Sequence, residues 1–479
     1  MAIASATSDS FLYEQVEKQI LNLIDSGVLK PRERVPSLRH MSKQARVSIA
    51  TVMQAYLALE RKGFIEARPK SGFFVKPRPT RDPTVPRVVK PRGLPHKVQV
   101  GDLAASVFTA AHSPGVVSLG IANPSPDLLP VKGLTRAMTQ VANRHRLQSM
   151  QYCPPAGVEG LRRQIAYRCA ELGAVVSPED VLITNGASEA LALSLTLVAN
   201  PGDVIAVESP TYFYVLQMIE RLGMLAVSVR TDTEHGMCLE SLEETLKTVH
   251  VKAVLTVPNF NNPLGCLMPD ESKRRMVEML SERKIYLIED DVYGDLHFDE
   301  QRPRIAKCYD EAGYVLTASA FSKTLAPGYR VGWLLPGRFG KEAIQLKHAL
   351  SGCSGTLVQM AIAEYLGSGN YDRFMRKVRK SYKEQVAQMR IAIAKYFPDQ
   401  TRVSRPRGGF VLWVELPKGI DGAALFDEAL TRGVSFTPGM LFSPRKKFKN
   451  YIRVCAGLPW ADQVEEAVAT LGAVIHEMA

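Results

Sequence analysis

From Phe11 to Lys62 apolar positions recur at helical spacing, and Tyr13, Val16, Ile20, Leu23 and Ile24 fall on one face of a first segment. A second, short helix is expected in PSLRHMSKQA, where Pro36-Ser37 supplies the start. A third opens at Ser48 and runs through TVMQAYLALERKG, with ARVS as a tight connection before it. The period then changes, and FIEARPKSGFFV reads as two short β runs around a Pro-Lys-Ser-Gly turn. Three helices followed by a hairpin predict a winged helix-turn-helix over residues 1–75.

Residues 76–97 hold six prolines and seven Lys/Arg against one Asp, a composition that runs extended and builds no core, so 76–100 is expected to be a linker. From about Gly101 apolar runs alternate with helical segments. The candidate strands are residues 181–184, 204–207, 225–229, 253–257, 285–289, 314–318 and 331–335. Such spacing predicts an α/β domain, with a mainly parallel sheet covered by helices and a ligand site at the carboxyl ends of its strands. After Ala343 comes a long helical region, then a smaller α+β unit with FVLWVEL, VSFTP and YIRVCA as strands and a last helix through ADQVEEAVATLGAVIHEM. The large domain is placed at about 115–345 and the small one at about 346–479.

A chain of 479 residues is expected to form two to four domains. It has no apolar run of 18 residues, and MAIASATSDSFLYEQ lacks a basic leader, so neither a membrane span nor a secretory signal is expected, and a cytoplasmic location is. Seven dispersed cysteines read as reduced thiols, and nine scattered histidines suggest no metal cluster. The net charge of +12 is unevenly placed: residues 1–100 hold 18 Lys/Arg against 8 Asp/Glu, so nearly all of the excess lies there. A basic module on a nearly neutral body suggests a phosphate-backbone partner for that module alone. The third helix would enter a major groove, while the hairpin, with Arg68 and Lys70, would touch backbone or minor groove.

Each candidate ligand group of the α/β region follows a strand. Asn185-Gly186-Ala187-Ser188 opens a helix, where free amides suit a phosphate, although alone it is only a good helix start. Tyr212 could stack on a planar ring, Asn262 could donate to a ring oxygen, an acidic side chain of the Asp290-Asp291 pair could meet a ring nitrogen, and Tyr293 could join Asn262. Asp290 and Asp291 could instead be a metal site, but no third ligand lies at a useful spacing. Lys323 stands between two apolar runs, where desolvation would lower its proton affinity and leave an amine able to form an imine with an aldehyde. Arg330, brought back by the Pro327-Gly328 turn, could fork onto a phosphate.

Residues 11–75 resemble the GntR-type DNA-binding domain in SGVLKPRERVPSLRHMS, VSIATVMQAYLALERKGFI and PKSGFFV. They depart from it at Ile49, where relatives often carry arginine, and at Lys70, where they carry glycine. Arg39, Ser48, Thr51 and Lys70 are the expected contacts to double-stranded promoter DNA.

Residues 115–470 resemble the fold-type I aminotransferases in LGIANPSPDLLP, QYCPPAGVEGLRRQIA, ITNGASEAL, VESPTY, NNPLG, DDVYGD, SAFSKTLAPGYRVGW and YIRVCAG. The resemblance implies pyridoxal 5'-phosphate held as a Schiff base by Lys323, with Asp290 and Tyr212 as the other catalytic residues. It assigns the ring oxygen to Asn262 and Tyr293, and the phosphate to Gly186, Ala187, Ser188, Ser322 and Arg330, joined by Tyr152 from the other subunit. Arg453 is implied to clamp the α-carboxylate of a substrate or effector. Ala320 replaces a frequent Ser or Thr, and one lost hydrogen bond to a charged group, worth about 1.5 kcal/mol, would weaken cofactor binding roughly tenfold.

In this order the two halves resemble MocR-type regulators. That resemblance implies a winged helix-turn-helix fused to a fold-type I pyridoxal phosphate-dependent transferase, assembled as a head-to-tail homodimer that reads two half-sites. The expected function is transcriptional regulation, with the cofactor or an amino-compound effector sensed at Lys323. A working aminotransferase with a secondary DNA-binding module is the alternative, and a cofactor-storage or interaction role is a third.

Overall fold

The computed structural model describes residues 11–68, 71–76, 82–91, 93–98 and 103–479. They fall into two compact units, Met1–Asp82 with Ala387–Lys395, and Pro83–Val386 with Tyr396–Ala479.

The first unit contains α1 (Leu12–Asp25), α2 (Leu38–Ala45), α3 (Ile49–Arg61), β1 (Ile65–Arg68) and β2 (Gly72–Val75). Serines begin two of the helices because a side-chain oxygen satisfies an amide the helix cannot. Ser37 accepts from the His40 amide at 3.2 Å, and Ser48 accepts from the Thr51 amide at 3.1 Å. The apolar stripe of α1 meets α2 and α3 in a core of Val16, Ile20, Met41, Val52, Tyr56 and Leu59. Burying each large side chain there contributes about 1.5–3 kcal/mol. The Tyr56 hydroxyl donates to the Pro36 carbonyl at 2.7 Å, which ties α3 to the start of α2. β1 and β2 pair antiparallel, with Ile65 opposite Val75 and Arg68 opposite Gly72, in agreement with the predicted wing. Lys70 lies outside the described residues.

Within the proline-rich stretch the described residues, 82–91 and 93–98, form no helix or strand, yet they do not run free. Pro83 and Pro86 are buried, the Thr84 carbonyl accepts from the Val403 amide at 2.9 Å, and His96 exchanges both backbone hydrogen bonds with Ala226 at 2.9 Å. A chain outside helices and strands presents unpaired amides and carbonyls, and these segments use them to join the second unit.

That unit begins with α4 (Leu103–Ala110), β3 (Val117–Ser118), α5 (Val131–Arg144) and α6 (Glu159–Glu171). Then strands and helices alternate: β4 (Leu182–Thr184), α7 (Ala187–Val198), β5 (Val204–Ser209), α8 (Phe213–Arg221), β6 (Leu225–Asp232), β7 (Gly236–Met237), α9 (Leu239–Thr248), β8 (Val251–Thr256), α10 (Asp270–Glu282), β9 (Tyr286–Asp290), β10 (Val315–Ala320) and β11 (Gly332–Leu335). These strands make one sheet in the order β4-β11-β10-β9-β8-β5-β6-β7. Pairing is parallel from β10 through β9, β8 and β5 to β6, and antiparallel at β11 and β7. The parallel strands are buried on both faces, which is why they read as continuous apolar runs. Strand order reverses between β5 and β8, so loops from both sides diverge there and leave a crevice.

The helices α11 (Gly340–Ser351), α12 (Thr356–Gly367) and α13 (Asn370–Tyr396) follow. The chain closes with β12 (Arg402–Val403), β13 (Val411–Glu415), α14 (Gly422–Thr431), β14 (Val434–Ser435), β15 (Thr437–Pro438), β16 (Tyr451–Cys455) and α15 (Asp462–Met478). β12, β13, β16 and β15 form an antiparallel sheet, and β14 pairs with β3 from far upstream. The LGIANPSP segment therefore packs with the C-terminal elements: Cys455 donates its amide to the Leu119 carbonyl at 2.8 Å. No described helix is long and apolar enough to cross a membrane.

Candidate functional site

The crevice at the strand ends holds a cavity of about 810 Å³ lined by Ala187, Ser188, Tyr212, Asp290, Ser322, Lys323, Arg330 and Arg453, among others. Residues far apart in sequence meet there because β4, β5, β9 and β10 all end on the same side of the sheet.

At the end of β4 the chain turns sharply into α7. Gly186 has φ +83°, a conformation that favours glycine, and its missing Cβ leaves room for the Arg330 guanidinium. Arg330 itself sits in the left-handed region at φ 54°. Its guanidinium donates to Ser322 Oγ at 3.3 Å and to the Asn185 carbonyl at 3.2 Å, beside the α7 N-terminus. Free helix amides, a hydroxyl and a guanidinium form a donor set suited to a phosphate dianion.

Lys323, just past β10, points into the cavity and donates to the Ala122 carbonyl at 2.6 Å. Burial, reinforced by the Arg453 cation, lowers its pKa to about 8. At neutral pH roughly a tenth of such an amine is unprotonated, against about one part in 2,500 for an ordinary lysine. Uptake of an aldehyde cofactor by the cofactor-free protein is therefore expected to fall about tenfold per pH unit below about 8 and level off above it. Stopped-flow absorbance against pH measures this; a flat profile between pH 6 and 8 contradicts it.

Asp290 ends β9 in a buried position where burial raises its pKa to about 7, although the Val292 amide donates to it at 3.2 Å. No cation makes a salt bridge to it among the described residues. A ring N–H would supply the missing partner and lower its pKa again. Asp291 points elsewhere: it takes the Arg302 guanidinium at 2.5 Å and the Asn259 amide at 2.7 Å. Arg302 also bonds Asp295, so a guanidinium occupies the place between these two carboxylates. No group of His, Cys, Asp and Glu suited to a metal occurs among the described residues.

Arg453 is only 2% exposed. It donates to the Gly120 carbonyl, to Thr437 Oγ1 at 2.9 Å and to Asn262 Oδ1 at 3.2 Å, while its Nε has no partner. It makes no salt bridge to any described carboxylate. A buried guanidinium without an anion is costly, and the arrangement favours a ligand that brings one. Asn262 and Tyr293 are outside the cavity's lining; both are buried, 3.5 Å apart between Nδ2 and the hydroxyl, and Asn262 is joined to the lining through Arg453. Tyr212 lies on the cavity wall, where burial holds its hydroxyl protonated.

Tyr152 stands apart from this set: it is 96% exposed and does not line the cavity. In the first unit Arg39 is exposed on α2, and Ser48 and Thr51 bond each other at 2.8 Å between hydroxyls. Arg68 lies over the Phe74 ring at 4.4 Å and pairs with Glu66 at 2.7 Å, so the wing already engages its charge. Sequence reasoning missed four groups. The Ala122 and Gly120 carbonyls hold Lys323 and Arg453, and a backbone carbonyl leaves no mark in the residue pattern. Thr437 had no signal. Gln54 lies exposed on α3 beside Ile49, Met53 and Leu57, a face otherwise poor in hydrogen-bonding side chains.

Comparison with known proteins adds to this geometry. Residues 114–471 match the family model for aminotransferase class I and II, and residues 12–75 match that for bacterial regulatory proteins of the gntR family. The chain is 35% identical to the HTH-type transcriptional regulator YjiR of Escherichia coli strain K12, over 97% of this chain and 98% of that protein. Among solved structures it is similar to LysN, the alpha-aminoadipate aminotransferase of Thermus thermophilus, complexed with N-(5'-phosphopyridoxyl)-L-leucine. That match has a TM-score of 0.72 and 31% identity, over 79% of this chain and 96% of LysN. It is also similar to the Pyrococcus horikoshii kynurenine aminotransferase in complex with PMP, with a TM-score of 0.74 and 28% identity, over 80% of this chain and 95% of that one.

Proposed function

We propose how a chain that belongs to the aminotransferase class I and II family, and carries a GntR-type DNA-binding domain ahead of it in the MocR-type arrangement, uses its pocket to regulate transcription. It is a GntR-type regulator fused to a pyridoxal phosphate-dependent aminotransferase-like domain. In our reading the pocket is the sensor, and an amino compound carrying a carboxylate is the signal. The observation that carries this reading is Arg453, a buried guanidinium with no anionic partner among the described residues, in the same cavity as an amine whose proton affinity is depressed.

Pyridoxal phosphate, when bound, supplies an aldehyde that captures primary amines and a ring that accepts electrons. The chain's own residues orient and hold. The α7 amides at Ala187 and Ser188, with Ser322 and Arg330, would hold the phosphate, while Tyr212 would cover one ring face. Asp290 would keep the ring nitrogen protonated, and Asn262 with Tyr293 would hydrogen-bond the ring oxygen. Lys323 Nζ would hold the cofactor's aldehyde end and would hold or give up a proton within the cavity. Arg453 fixes the carboxylate of the incoming amine.

Tyr152, exposed and without a hydrogen-bond partner among the described residues, suits a reach into a second subunit, which supports a head-to-tail homodimer. A cytoplasmic location accords with the DNA target. In that dimer Tyr152→Phe is expected to weaken cofactor binding by about tenfold or less, as one hydrogen bond to a charged group allows. Spectrophotometric titration checks it; unchanged affinity contradicts the reach.

Arg39, Ser48, Thr51 and Lys70 remain the proposed DNA contacts, and to them we add Gln54, whose amide can read an adenine edge. Gln54→Ala is expected to cost about 1–3 kcal/mol of discrimination at one base position, measured with a set of single-base operator variants. Equal loss on all variants contradicts base readout.

The regulator reading is tested by retardation of the protein's own upstream promoter fragment at physiological salt; retardation no better than that of random DNA contradicts it. Turnover is the second reading, favoured by the meeting of Lys323, Asp290 and Arg453 in one cavity. Rapid conversion to the pyridoxamine form in single-turnover spectra would support it, and a persistent amine adduct supports sensing.

A further inference from the structure

All seven cysteines are free thiols. Two of them, remote in sequence, are brought to neighbouring loops: Cys153 lies in the loop before α6 and Cys353 between α11 and α12, and the Cys153 sulfur reaches the carbonyl of Ser354, the residue next to Cys353. The packing of these loops is specific. Thr356 Oγ1 donates to the Gln151 carbonyl at 2.7 Å, Gln359 Nε2 donates to Cys153 Sγ at 3.3 Å, and Cys153 Sγ donates to the Ser354 carbonyl at 3.4 Å. Cys353 lies between Gly352 and Gly355, and the left-handed φ of +68° at Gly352 suits a loop whose backbone can shift. Closing two neighbouring thiols to a covalent bond of about 2.05 Å draws on a movement of this loop.

We propose that Cys153 and Cys353 are a redox modification site that closes to a disulfide under hydroperoxide. Cys353 is half-buried and Cys153 buried, so Cys353 reacts first. Its sulfur takes one peroxide oxygen, giving a sulfenic acid and one water. Cys153 then attacks that sulfur; the S–S bond forms, the S–O bond breaks and a second water leaves. In sum two thiols lose two electrons and two protons, and hydrogen peroxide becomes two waters. Burial and the neighbouring thiol raise the Cys353 pKa, which keeps the thiolate scarce and makes the site respond to sustained oxidant rather than brief pulses.

The neighbour that matters is Tyr152, one residue before Cys153. A cross-link to the Cys353 loop restrains the backbone that carries this exposed tyrosine, and so alters the hold on the cofactor of a second subunit. This consequence rests on the proposed dimer; formation of the disulfide does not.

The experiment uses the full-length, cofactor-loaded protein treated with hydrogen peroxide, then denatured for thiol titration and peptide mapping. Two of the seven thiols are expected to disappear, with one linked peptide joining Cys153 to Cys353, and Cys353→Ser to yield no linked peptide. If wild-type protein gives no such peptide while both cysteines remain alkylatable, the proposal is overturned. Cofactor release is then timed for oxidised and reduced protein. Slower release after oxidation supports the link to Tyr152, and equal rates overturn it. Operator retardation by reduced protein, run alongside, fails only if the regulator reading itself fails.

Discussion

Lys323→Ala is expected to abolish the absorbance of protein-linked pyridoxal phosphate completely, because among the described residues no other lysine lines the cavity. The phosphate donors at Ala187, Ser188, Ser322 and Arg330 stay in place, so weaker, salt-sensitive binding should persist, with the spectrum of free aldehyde. Added amines then meet the aldehyde in solution-like fashion, without the gain from a held geometry. Absorbance titration of the purified variant measures both features. A linked spectrum that survives the substitution would falsify the assignment of Lys323. Folding is expected to be unharmed or improved, since the change removes an amine whose charge burial disfavours.

Arg453→Met is expected to separate carboxylated from plain amines. Truncating one side of a buried charge pair costs about 2–5 kcal/mol, roughly 30-fold to several thousand-fold in affinity. The loss should fall on amino acids and spare their decarboxylated amines, which never used the guanidinium. Two further signs follow from the geometry. Arg453 is buried without an anion in the free protein, so its removal should leave the melting temperature level or higher. It also depresses the Lys323 pKa, so the midpoint of cofactor uptake should move above about 8. A strong fall in melting temperature with unchanged amine selectivity would assign Arg453 to structure instead, through Thr437, Gly120 and Asn262.

Much of this was legible because parallel strands advertise themselves. Val204–Ser209, Val251–Thr256 and Tyr286–Asp290 are apolar runs whose ends carry an aromatic, an amide or an acid, and the topology brings those ends to one side. Ser37 and Ser48 likewise signal helix starts through chemistry local to a few residues. What could not be read was long-range and carried by the backbone. Nothing in LGIANPSP says that Val117–Ser118 pairs with Val434–Ser435, or that the Ala122 carbonyl holds the lysine. The linker has the same limit: nothing in its composition says that Thr84 bonds Val403 or that His96 pairs with Ala226. Asp290 and Asp291 looked equivalent, yet alternation along a strand sends them to opposite faces, one to the cavity and one to Arg302.

The central claim is that occupancy of the Lys323 pocket by an amino compound changes DNA affinity. The most direct measurement is the operator dissociation constant of cofactor-loaded protein, at fixed salt, with and without an amino acid that perturbs the cofactor spectrum. Coupling of about 1–3 kcal/mol, a change of roughly 5- to 150-fold, is expected in wild type and should vanish in Lys323→Ala. An operator affinity that ignores an amino acid which demonstrably occupies the pocket would contradict the account.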